Sequence, residues 1–562
     1  MKFSQMPYKR VELEPALAKI RGQLDAFKGA ETAEEAIAAY EAYDKYSQNI
    51  ETMFMLGGIR HTLDTADSFY DAENDYIDKT GPEFMPIEQE FARALLESPF
   101  RNEMEAKWGS VMFRKAELEL KTFRPEIVPD LQEANKLASE YEKLLASAQI
   151  EYDGKTLTLA QLGSYHESPD RAIRESSMRA RAEWFLRQAP ALDDIFDRLV
   201  KLRAQMARKL GYGNFVEMGY DLMERLCYRA PEVEKFRAAV AARMVPVSVR
   251  LKEEQARRIG VDRIKIYDDR CLYLDGNAKP KGTPEEIFAH GKKMYHGLSG
   301  DTAKFIDFML ENELFDVLTR PGKAGGGYCA YLEDYKSPFI FANFNGTADD
   351  INVLTHEAGH AFAAYEAREL SPSSLRGYSM ETAEIHSMAM EFFAWPHMEG
   401  FFGGDADKAR ESHMLECLTF IPYGAMVDEF QHRVYEKPEM RPQERNALWL
   451  SLEAKYRPYL DFAGFPFYGE GRRWQAQSHI YTSPFYYIDY CLAQTMALQF
   501  WALGQNSHRD AWEKYCRLVK FAGTKTFSEL VRDAGLLTPF GDEAVKKVCE
   551  TVAKWLDERA KG

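Results

Sequence analysis

At 562 residues, with 45% hydrophobic and 28% charged residues, the chain has the composition of a folded globular protein, which excludes the disordered and low-complexity classes. A formal charge of −16 without any Lys/Arg run argues against a nucleic-acid partner, because a phosphate backbone is gripped by a basic face. Seven scattered cysteines with no C-x-x-C pair encode neither a disulfide framework nor a thiolate metal site.

The first residues, MKFSQMPYKRVELEPALAKI, lack the apolar stretch of a signal peptide. No later window reaches the roughly 18 apolar residues of a spanning helix, so a cytoplasmic protein with no membrane partner is expected. Helical periodicity then dominates. AEEAIAAYEAYDKY, IEQEFARALLESPF and DLQEANKLASEYEKLLASA space their apolar residues three and four apart. IEYDGKTLTL interrupts them as a hairpin, with Asp-Gly in the turn. RIKIYDDRCLYLDG and GGGYCAYLEDYKSPFIFANF read as further strand regions, and beyond them the pattern is helical almost to the last residue. The expectation is a mainly α protein of two helical lobes around one cleft, with a few short strands near the site. Residues 1–200 form an N-terminal helical region and 201–562 the region carrying the chemistry.

GKAGGGYCAYL resembles a phosphate loop only superficially, since it lacks the G-K-[ST] ending and the strand–loop–helix setting. The chemistry lies just after it, in INVLTHEAGHAFAAY at 351–365. Thr347 and Asp350 suggest a capped helix start. On such a helix His356 and His360 share a face and converge on one ion, while Glu357 projects beside them and reaches a water. This is the H-E-x-x-H arrangement, in which two histidines hold zinc and the glutamate is the general base. Gly359 leaves room for another backbone or a substrate. Two histidines are too few for a catalytic zinc, so a third ligand is required.

The next helix supplies it. In SMETAEIHSMAMEFFAW, residues 379–395, Glu381, Glu384, Met388 and Glu391 lie on one stripe of an otherwise apolar helix. Glu384 follows His356 by 28 residues, enough for the rest of the first helix, a loop and an antiparallel return. It is taken as the third ligand, with Glu391 orienting a ligand histidine through its second ring nitrogen. His386 points away from the Glu384 face, and neither it nor His397 is included.

THEAGHAF followed by TAEIHSMAMEF resembles the M3 family of zinc metallopeptidases, the group of thimet oligopeptidase and oligoendopeptidase F, and the length suits the bacterial oligoendopeptidase F branch. The resemblance implies one zinc per chain on His356, His360 and Glu384, with Glu357 as base, in a nearly all-helical body with a deep channel admitting short peptides. It also implies late aromatic donors for the tetrahedral intermediate. SHIYTSPFYYIDYCLAQ offers His479, Tyr481, Tyr486, Tyr487 and Tyr490, of which His479, Tyr486 and Tyr490 are favoured as catalytic and Tyr487 as substrate-binding. Ser483-Pro484 is read as opening the helix on which Tyr486 and Tyr490 share a face. Gly326, Gly327 and Tyr328 are assigned to peptide-backbone contact, and PFIFANF to an edge strand that pairs with substrate. The resulting reading is hydrolysis of internal bonds in short peptides by metal-activated water. The alternatives are a zinc hydrolase of non-peptide amides and an inactive helical scaffold.

Overall fold

The computed structural model describes residues 1–559 apart from 321, 325, 345 and 463. It is 72% helical. The strands are β1 (Ile150–Tyr152), β2 (Lys155–Leu157), β3 (Phe315–Leu318), β4 (Tyr328–Leu332) and β5 (Ser337–Phe344). The chain divides into two compact units, each discontinuous in sequence.

Unit 1 comprises Met1–Lys121, Lys279–Ala406 and Leu503–Leu536. Its first helices include Ala33–Leu63, opened by Thr32, whose hydroxyl accepts from Glu35 N at 3.2 Å. They bury Leu24, Phe91, Trp108 and Phe113 in a shared core, with Tyr43 stacked 3.7 Å from Phe91. The three strands of this unit pair in the order β3-β5-β4, β3 parallel and β4 antiparallel to β5. PFIFANF is therefore the central strand rather than an edge. Its partner β3 is only four residues long and half exposed, too short to announce itself by alternation, and its presence fills the side of β5 expected to be open.

Unit 2 comprises Thr122–Ala278, Asp407–Ala502 and Leu537–Gly562. The expected hairpin is present: β1 and β2 pair antiparallel, with Asp153 and Gly154 both at positive φ (51° and 69°), as a two-residue primed turn requires. The expected division at residue 200 falls inside the 39-residue helix Arg171–Lys209. RIKIYDDRCLYLDG is not a strand; only Lys265 forms a bridge, with Asp461. Its backbone is wound instead around the buried Asp268 carboxylate, which accepts from Lys265 N (3.2 Å), Arg171 Nη2 (2.7 Å) and Arg174 Nη2 (2.9 Å). Buried polar groups must be paired, and here that demand overrides the β pattern of the sequence.

Candidate metal centre

The motif lies on the helix Asp349–Ala367, and the third ligand on Met380–Phe393, both in unit 1. The first helix begins after Ala348 rather than at a Thr347 cap, and the Asp350 carboxylate accepts from Gly346 N at 2.8 Å. The two helices meet at Gly359: a Cβ there would stand 2.5 Å from His386 O and 2.6 Å from Ser387 Cα. The missing side chain admits another backbone, that of the ligand helix. Tyr515 holds the far side of that contact by donating to His386 O at 2.8 Å. The loop between the helices is pinned by Ser373 N donating to the buried Asp44 at 2.9 Å.

His356, His360 and Glu384 each turn one donor atom to a common point, all within 4.8 Å of one another. Glu384 Oε2 lies 3.5 Å from His356 Nε2 and 3.7 Å from His360 Nε2. Ligands about 2.1 Å from one tetrahedral zinc are about 3.4 Å apart, so two imidazole nitrogens and one carboxylate oxygen fit that ion. Glu391 Oε1 sits 2.6 Å from His356 Nδ1, which commits Nε2 to the common point. Ser387, not anticipated from sequence, steadies the third ligand by donating to Glu384 Oε2 at 3.2 Å. His386 lies on the opposite face, edge-on to Tyr378, with both ring nitrogens buried.

The electrostatics are those of a site built for a cation. Burial disfavours a charged His356, yet the carboxylates of Glu384 and Glu391 outweigh it and hold the imidazolium well above the usual range. Burial pushes His360 down to about 4, and it raises the Glu357 carboxyl, with the Glu384 and Glu391 charges adding to the rise. A dication among these groups would reverse that balance and favour neutral rings and ionised carboxylates. Gly327 flanks Glu357: a Cβ on it would lie 4.0 Å from Glu357 Oε1 and 3.4 Å from Phe341 O. Gly326 adopts φ +87° and its carbonyl accepts from Asn343. The Tyr328 ring stacks on Phe341 and its hydroxyl pairs with Thr62 at 2.7 Å.

Residues 164–548 match Peptidase family M3, and residues 3–123 match the Peptidase M3 N-terminal domain. The chain belongs to peptidase family M3. Membership makes it a metalloendopeptidase. Over 97% of its length this M3 peptidase is 22% identical to oligopeptidase PepF of Bacillus subtilis (strain 168), 83% of which is covered. It is also 22% identical to an oligoendopeptidase F homolog of Lactococcus lactis subsp. lactis (strain IL1403), over 93% of this chain and 91% of that one. Among solved structures, Pz peptidase A with an inhibitor matches at 46% identity and a TM-score of 0.94, covering 99% of both chains.

The late aromatic residues of the M3 peptidase form a second group, within unit 2. The His479 ring is 5.0 Å from Tyr487, 5.8 Å from Tyr486 and 5.9 Å from Tyr490, and the Tyr486 and Tyr490 rings are 4.7 Å apart. Their helix begins at Tyr487 rather than at Ser483-Pro484, because Phe485 takes a left-handed φ of 68°. Gln477 is the residue that sequence reasoning missed. Its amide nitrogen donates to His479 Nδ1 at 3.0 Å while its oxygen accepts from Tyr423 at 2.7 Å. An amide nitrogen can only donate, so in this arrangement Nδ1 accepts and Nε2 is the ring nitrogen left to donate. Nothing in the spacing Q-x-H announces this role.

Proposed function

We propose that the protein is a zinc-dependent oligopeptidase that hydrolyses internal bonds of short peptides, in the cytoplasm and without nucleic-acid or membrane partners. The observation that carries the reading is the convergence of His356, His360 and Glu384, with Glu357 on the same helix. A zinc ion bound there supplies a Lewis acid that activates water and polarises a carbonyl. Glu357, ionised beside a bound dication, accepts the proton of the attacking water and returns it to the leaving amine. Glu391 fixes the His356 ring, and Ser387 fixes the Glu384 carboxylate. His479, through Nε2–H, and the phenols of Tyr486 and Tyr490 are assigned to the developing oxyanion, a role in which one donor typically contributes about 3 kcal/mol. Gly326 and Gly327 offer backbone to a peptide, and Tyr487 a ring face.

The test joins metal content to turnover on one preparation. About one zinc per chain should accompany cleavage of an internally quenched peptide, and chelation should abolish that cleavage until zinc is restored. Glu357→Gln should keep its zinc and lose at least about 100-fold in kcat. Near-normal activity in that variant would remove Glu357 from the mechanism. Zinc without any peptide cleavage would move the substrate to non-peptide amides, and a preparation that binds no zinc would leave a scaffold.

A further inference from the structure

Unit 2 contains a cavity of about 470 Å³ whose lining includes Arg181, Arg473, Tyr423, Tyr468, Gln477 and Tyr487. The volume suits a small ligand or the end of a peptide. Its charge is unbalanced. The one lining carboxylate, Asp269, is already paired with Lys252 at 2.7 Å. Arg181 makes no ion pair among the described residues; its Nη1 donates to the Tyr468 hydroxyl at 2.9 Å. Arg473 likewise makes no ion pair among the described residues, although the Glu453 and Asp269 carboxylates lie close enough to favour its charge. Its guanidinium lies 4.7 Å from the centre of the Tyr423 ring, and its Nη1 is shut off from solvent with no hydrogen-bond acceptor. A buried guanidinium N–H left without an acceptor is costly, and an arriving anion relieves that cost. Exposed Arg270 at the lining is paired with Glu167 at 3.9 Å, and burial together with the Arg181 and Arg270 charges holds the lining His166 neutral. A cationic cavity in a chain of net charge −16 is a local construction, not a share of a general excess.

The cavity also joins the aromatic group. Gln477 lines it and donates to His479, and Tyr487 lines it with its ring 5.0 Å from that of His479. We propose that this cavity binds the C-terminal carboxylate of a short peptide, with Arg473 and Arg181 as the cations and the Tyr423 and Tyr468 hydroxyls beside them. The proposal rests on the oligopeptidase reading and adds to it a requirement on the substrate: a free chain end. Planar guanidinium groups suit a planar carboxylate, and the surrounding rings suit the last side chain.

The test reads binding rather than turnover, so that it does not share the fate of the peptidase reading. Full-length Glu357→Gln protein is titrated calorimetrically with a peptide of about eight residues lacking acidic side chains, as free acid and as C-terminal amide. The acid should bind about tenfold tighter, and Arg473→Gln and Arg181→Gln, each added to Glu357→Gln and checked by thermal melting, should shrink that ratio towards one. Equal binding of acid and amide would overturn the proposal whether or not the arginine variants fold. An acid preference that survives both arginine variants would overturn it as well, by placing the anion elsewhere. An amidated peptide ending in Glu that binds as tightly as the acid would assign the cavity to a side-chain carboxylate instead. If the acid outbinds the amide but the wild type cleaves no peptide, the cavity stands and the peptidase reading falls.

Discussion

The chemistry of the site depends on single atoms whose partners decide their state. His356 has two ring nitrogens and two carboxylate neighbours, one on each side: Glu391 on Nδ1 and Glu384 near Nε2. Replacing Glu391 by Ala removes the group that fixes the tautomer while leaving all three ligands in place. Zinc affinity should fall by 10- to 100-fold, read by competition with a chromophoric chelator, and kcat in saturating zinc should fall much less. Unchanged affinity would show that the helix alone orients His356. Much of this was legible beforehand, because i,i+4 spacing on a helix is a geometric statement that needs no tertiary knowledge. Glu391 could be read for the same reason, two turns after Glu384. Ser387 and Gln477 could not. A hydroxyl and an amide acquire a role only from what they touch, and neither residue type is rare enough to stand out.

Among the elements, the helix pair of the metal centre and the three-stranded sheet were predictable to different degrees. The ligand helix is buried at almost every position from Glu381 to Phe393, so its apolar run is unmistakable. Gly359 sets how closely it approaches the motif helix. Gly359→Ala places a methyl within 2.6 Å of the ligand-helix backbone, which cannot yield as a flexible side chain would. The helices must separate, at about 1–3 kcal/mol; the expected result is a lowered melting temperature together with weaker zinc retention. A variant with wild-type zinc affinity would show that the metal centre tolerates the shift. The sheet was harder to read because strand order is a long-range property: the sequence marks β5 as apolar, but only the arrival of β3 makes it central. At 263–276 the difficulty is of another kind. The alternation is real, but a buried carboxylate with two arginine partners claims the backbone first.

For the molecule as a whole, acid sensitivity follows from histidines that have nothing to do with metal. Burial pushes His166 and His432 from 6.5 to about 4, with Arg181 and Arg270 reinforcing the shift at the first; at the second Arg237 and Arg225 do so against an opposing Asp428. Both rings are neutral when folded and charge readily when unfolded. The stability they permit is therefore complete above pH 6.5 and declines as pH falls from 6.5 toward 4, by about 3 kcal/mol for each at the lower limit. Urea midpoints measured between pH 7 and 4.5 should fall, and His432→Gln should flatten that slope; an unchanged slope would assign the acid lability to other groups.

The hydrogen bond from Tyr515 to His386 O gives the metal centre a place in time as well as in space. The ligand helix is backed by Tyr515, which follows His386 by 129 residues and so is made after His356, His360 and Glu384. During synthesis, the nascent chain carries His356, His360 and Glu384 well before it carries the helix that braces their scaffold. The braced centre therefore forms only after the chain has been made through Tyr515.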